Sequence, residues 1–116
     1  MRHLHFGKLL FVVFSLLFAC TVSARKPIKT LLITGQNNHN WQVSHNVLKQ
    51  ILENSGRFEV DFAVSPEQGK DMSGFVLDFS PYQLVVLDYN GDSWPEETNR
   101  RFLEYVQNGG GVVIYH

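Results

Sequence analysis

Three short apolar runs, each breaking off into a cluster of polar and aromatic residues, limit most sharply how this chain can fold. Leu31-Leu32-Ile33-Thr34 runs into Gly35-Gln36-Asn37-Asn38-His39-Asn40-Trp41. Leu84-Val85-Val86-Leu87 runs into Asp88-Tyr89-Asn90-Gly91-Asp92-Ser93-Trp94. Val112-Val113-Ile114-Tyr115 runs into His116. An apolar run without polar alternation reads as a strand covered on both faces, which is the habit of parallel sheets. In open parallel α/β sheets, ligands bind beyond the carboxyl ends of the strands. The three polar clusters therefore mark one candidate site.

Between the runs the hydrophobic period changes. Val47, Leu48, Ile51 and Leu52 share one side of a helix predicted over Ser44–Asn54, with Ser44 as N-cap and Gly56 as its stop. Phe58 to Val64 alternates, with Glu59 and Asp61 between apolar residues, and reads as a half-exposed edge strand. Ser65 to Ser80 reads as a loop with a short helix around Met72–Leu77. Pro95-Glu96-Glu97 opens a second helix reaching Asn108, with acids at its positive dipole end and Phe102, Leu103 and Val106 as its apolar face. Gly109-Gly110-Gly111 stops it. These glycines precede a strand, not a helix, so they lack the helix N-terminus that makes a phosphate loop. Gly111 to Tyr115 is read as a third buried strand. The order of elements predicts an α/β fold: a flavodoxin-like open parallel sheet with right-handed crossovers and strand order 2-1-3-4. Neighbouring strands lie ~4.8 Å apart, which brings Gly35, Asp88 and His116 to one crevice roughly 10 Å across.

The amino terminus reads as a targeting segment. Arg2, His3, His5 and Lys8 precede a mostly apolar run from Leu9 to Cys20. That run is shorter than the ~20 residues a membrane-spanning helix needs and fits a secretory h-region. Val22-Ser23-Ala24 supplies the small residues read at cleavage. Residues 1–24 are thus expected to be a signal peptide, and 25–116 the N-terminal part of a longer domain, because Val112–Tyr115 needs a following helix to cover it. Leu17-Phe18-Ala19-Cys20 resembles a lipobox, so a lipid anchor at Cys20 is the alternative to simple cleavage. The expected location is secreted or periplasmic, without a membrane span. Cys20 is the single cysteine, so no disulfide framework follows. After cleavage, eight basic residues face eleven acidic ones, a net charge of about −3. No basic patch exists to hold nucleic acid.

Within the crevice, Asn38 and His39 suit hydrogen bonding to hydroxyls, and Trp41 suits stacking on a sugar face. The structural alternative is an ordinary loop with Trp41 as packing. Asp88, with a buried strand behind it, suits a base, a ligand acceptor or a metal ligand. Tyr89 and Asn90 follow it as candidate contacts, although Asn90-Gly91-Asp92 is also turn chemistry. His116 carries an imidazole, a group that changes charge near neutrality. His39, Asp88 and His116 are three ligand types on converging strand ends, but their spacing is no zinc signature. No cofactor is expected, with a divalent metal on those three as a weaker reading. His45 is read as structural.

The strings Leu32-Ile33-Thr34-Gly35 with Asn38, His39 and Trp41, then Leu87-Asp88-Tyr89-Asn90-Gly91, then Gly109-Gly110-Gly111-Val112-Val113-Ile114-Tyr115-His116 resemble the ThuA-like (trehalose utilisation) family. The resemblance runs from Lys29 to His116. It implies a fold similar to class I glutamine amidotransferases and a role in carbohydrate utilisation. The implied ligand is a small-molecule carbohydrate, a disaccharide or sugar derivative, and the implied activity a hydrolase or lyase. A non-catalytic carbohydrate-binding domain, or a structural envelope domain, on the same scaffold is the alternative. His116 stands about where the amidotransferases carry their nucleophilic cysteine. Residues 25–116 contain no cysteine, so thiol-dependent glutamine chemistry is not expected. His116 and Asp88 are then the expected catalytic pair, with Asn38, His39, Trp41, Tyr89 and Asn90 binding substrate.

Overall fold

The structure, a computed structural model, describes residues 25–116; the leader and Cys20 lie outside the described residues. Four strands and two helices follow in the order β1 (Ile28–Thr34), α1 (Trp41–Asn54), β2 (Phe58–Val64), β3 (Leu84–Leu87), α2 (Glu96–Gln107) and β4 (Gly111–Ile114). All pairings are parallel and the sheet order is β2-β1-β3-β4. This is the expected 2-1-3-4 arrangement. β1 and β3 are the inner strands, and both are apolar on both faces, through Leu31 to Ile33 and through Val85 and Val86.

Alternation divides the core into two layers. Leu32, Val60 and Val86 point to one face, where Leu48 and Leu52 of α1 cover them. Leu31, Ile33, Ala63 and Val85 point to the other, where Phe75, Phe79 and the α2 residues Phe102 and Tyr105 pack. Tyr105 also donates a hydrogen bond to the Gly111 carbonyl (3.0 Å), fastening α2 to the start of β4. Among the described residues no helix is long and apolar enough to cross a membrane.

Four local expectations are corrected. First, α1 begins at Trp41, after the N-cap Asn40, whose carbonyl accepts from the Val43 and Ser44 N–H groups. Ser44 therefore lies inside the helix, not at its cap. Second, only Leu48 and Leu52 of the α1 apolar set face the sheet; Val47 and Ile51 are exposed. Third, no helix forms at Met72–Leu77. Thr98 donates to the Phe75 carbonyl (2.7 Å) and accepts from the Leu77 N–H (3.2 Å), taking backbone groups that a helix would need. Asp71 and Asp78 close turns on the Ser73 and Ser80 N–H groups, which hold both carboxyls below their ordinary range. Fourth, α2 packs through Thr98, Phe102 and Tyr105, while Leu103 and Val106 are exposed.

The third apolar run forms β4, paired along β3. Val113 and Ile114 remain 50% and 71% exposed, because among the described residues no helix lies over β4. On the outer face of α2, Arg100 and Arg101 donate to Glu97 and hold its carboxyl down at about 2.

Candidate functional site at the strand ends

Asp88 is the first residue past β3, and its side chain is fully buried. Its N–H donates to the Ile33 carbonyl (2.9 Å), which sets the carboxylate beside the end of β1. Oδ2 accepts from Ser44 Oγ (2.7 Å) and Thr34 Oγ1 (3.2 Å), while Oδ1 accepts from Asn37 Nδ2 (2.7 Å). Three donors, from β1, the loop after it and α1, thus converge on one carboxylate. Burying a charge without such partners would cost several kcal/mol.

His39 completes the cluster. Its Nε2 lies 3.7 Å from Asp88 Oδ1, within ion-pair reach but too long for a hydrogen bond. Asn37 positions it, because Asn37 Oδ1 accepts the His39 N–H (3.0 Å) in an Asx turn. The His39 ring meets Tyr115, just past β4, edge-on with centroids 5.5 Å apart. About a third of the His39 side chain is exposed, so it is the member of the cluster that solvent can reach.

The other predicted residues divide. Asn38, Asn90 and His116 are exposed at the same end of the sheet. Tyr89 points to the opposite layer: its hydroxyl donates to the Asp92 carbonyl (2.6 Å), and its ring packs on Trp94. Burial pushes the Tyr89 phenol up, which keeps it a donor. Trp41 does not join the His39–Asp88 cluster. It lines a separate cleft of about 330 Å³ on the β2 side of the loop after β1, with Gly35, Gln36, Asn37 and Ser65 among its neighbours. Among the described residues no three His, Cys, Asp or Glu side chains are arranged to hold a metal ion.

Sequence reasoning missed Thr34, Asn37, Ser44 and Gln36. Gln36 ties the rim together. Its Nε2 donates to the Pro66 carbonyl (2.7 Å) and its Oε1 accepts from the Asp92 N–H (2.7 Å), while its carbonyl accepts from the Asn90 N–H (2.8 Å). The loops after β1, β2 and β3 are thus clamped by one buried amide. Thr34 was findable: in the parallel register Ile33 pairs with Leu87, so the next residues, Thr34 and Asp88, stand side by side.

A parallel sheet of order 2-1-3-4, helices on both faces and a buried carboxylate at the carboxyl ends define a flavodoxin-like α/β protein. The chain matches no family profile and no curated protein. It is similar to the crystal structure of a protein from Parabacteroides merdae described as ThuA-like, with 96% sequence identity and a TM-score of 0.77 over 78% of this chain. The chain spans 33% of the length of that solved chain. The ThuA-like resemblance read from the sequence holds: the chain is ThuA-like.

Proposed function

We propose that the chain is part of a secreted carbohydrate-utilisation protein that processes a disaccharide or sugar derivative at the carboxyl ends of β1, β3 and β4. The observation that carries this reading is the buried Asp88 carboxylate, held by three donors and faced by the partly exposed His39. With its Nε2–H directed at the carboxylate, the imidazole presents Nδ1 to take a proton from a sugar hydroxyl. Asp88 then stabilises the imidazolium that forms. The carboxylate acts through His39, since its own oxygens are buried. His116 and Asn38 stand at the rim, where they can orient the remaining hydroxyls. Cleavage after Ala24 accompanies this role as the route of export, with lipidation at Cys20 as its alternative.

One observation favours a second reading, a carbohydrate-binding domain without chemistry: the Asp88 carboxylate is fully buried behind three donors, out of reach of a substrate. The two readings part on one variant. In the full-length protein, His39→Gln is expected to lower turnover of trehalose or another disaccharide by about 10²–10⁴-fold, the usual worth of a general acid–base group. The melting temperature should hardly move, because the ring is partly exposed. Unchanged turnover in a folded His39→Gln protein would remove the catalytic reading and leave the binding one.

A further inference from the structure

We infer that the cleft beside Trp41 is a distinct subsite for a neutral sugar ring, on the far side of the loop after β1 from the His39–Asp88 cluster. The inference rests on the carbohydrate reading above and extends it to a second place on the molecule.

The back wall of the cleft is rigid and chemically spent. Gln36 is used at both ends of its amide, and Asn37 is used by Asp88 and the His39 N–H. Ser65 donates its hydroxyl to the Pro66 carbonyl (3.0 Å), and its N–H goes to the Thr34 carbonyl (2.8 Å). Gly35 and Ser65 approach so closely that no side chain fits between them. A wall of this kind shapes a ligand without competing for it.

The rim is the opposite. Gln42, Glu67 and Gln68 line the cleft, and among the described residues their side chains make no hydrogen bond within the protein. Two amides and one carboxylate supply donors and acceptors in the mixture that neighbouring hydroxyls require. Glu67 also disfavours an anionic ligand, because its charge is the only one on the cleft lining. Trp41 supplies the apolar surface. Its ring is braced from behind by His45, with centroids 5.5 Å apart, and His45 in turn packs edge-on against Phe62 at 4.7 Å. His45 Nδ1 is also hydrogen-bonded to the Trp41 carbonyl (2.5 Å). A braced aromatic wall, a spent back and a polar rim match a small concave site for a ligand with one apolar face and several hydroxyls. About 330 Å³ is at the small end of ligand clefts and suits one or two rings.

The test uses the indole N–H signal of Trp41 in ¹⁵N NMR spectra of the full chain, assigned by its loss in Trp41→Phe. Neutral methyl pyranosides (gluco, galacto and manno) and trehalose are titrated, with glucuronate as the anionic control. At least one neutral sugar should shift the Trp41 signal saturably, with glucuronate binding more weakly. Gln68→Ala and Glu67→Ala should each weaken that binding by about 3–10-fold, the loss of one net hydrogen bond. His39→Gln should leave it unchanged. If no sugar of the panel shifts the Trp41 signal, the subsite is overturned. It is also overturned if binding is lost in His39→Gln but kept in Gln68→Ala; the sugar then sits only at the Asp88 cluster, and the carbohydrate reading survives. Binding at Trp41 with unaltered turnover in His39→Gln supports the subsite and removes the catalytic role of the histidine.

Discussion

Asp88→Ala lowers the unfolding free energy by about 3–5 kcal/mol, the range for stripping the partner from a buried charge network. The substitution removes the acceptor of Thr34, Ser44 and Asn37 together. Each donor is then left facing an apolar methyl, with Thr34 the most deeply buried of the three. The loss reaches further than packing, because these three bonds hold the end of β1, the loop after it and the first turns of α1 to one point. Asp88→Asn keeps the volume and one acceptor oxygen, so it should lose less. Chemical denaturation of the two variants against the unaltered protein checks the order. A loss under about 1 kcal/mol in Asp88→Ala would mean that the donors find other partners and that the carboxylate is not the anchor described above.

Gly35→Ala is expected to be comparably severe, at about 3 kcal/mol or more, for a steric reason. Gly35 has φ +116°, outside the range that side chains adopt readily, and a Cβ there would lie 2.6 Å from the Ser65 nitrogen and 2.8 Å from its carbonyl oxygen. Both atoms are backbone, so no rotamer change relieves the clash. Ser65 follows β2 directly, and the displaced chain must break the Ser65 N–H bond to Thr34 or open the β1–β2 ends. Gly56→Ala is the matched control. Its φ is +68° with no atom within 4 Å, so only the left-handed penalty of about 1–2 kcal/mol applies. Equal losses in the two variants would refute the steric account.

These positions show what could be read from the chain in advance. Strand order, element order and the burial of Leu31–Ile33 and Val85–Val86 follow from unbroken apolar runs separated by helical periods, because parallel sheets bury both faces of their inner strands. Asp88 stood out as a carboxylate at the end of such a run. Its partners did not, because Thr34, Asn37 and Ser44 are residue types that serve equally well as turns and caps. Ser44 illustrates the difficulty: its type suits an N-cap, but the helix starts at Trp41, and the hydroxyl is turned to a residue 44 positions away. Trp41 opens α1 and lines the cleft on the β2 side, away from Asp88, since strand order says which ends converge, not which way a side chain leaves its backbone. The helix faces were overestimated for a related reason. Val47, Ile51, Leu103 and Val106 carry the right period, yet each helix touches its sheet along one narrow stripe.

The burial of β1 has a consequence for time as well as for shape. Segments open locally at a cost set by the apolar surface they bury, so opening costs differ along one sheet. β1, flanked by strands and covered on both faces, opens only when most of the fold does. Asp88 is held from β1 and α1, so its geometry lasts as long as the fold itself. The His39 ring is thus faced by a carboxylate whose position does not depend on the loop that carries the histidine.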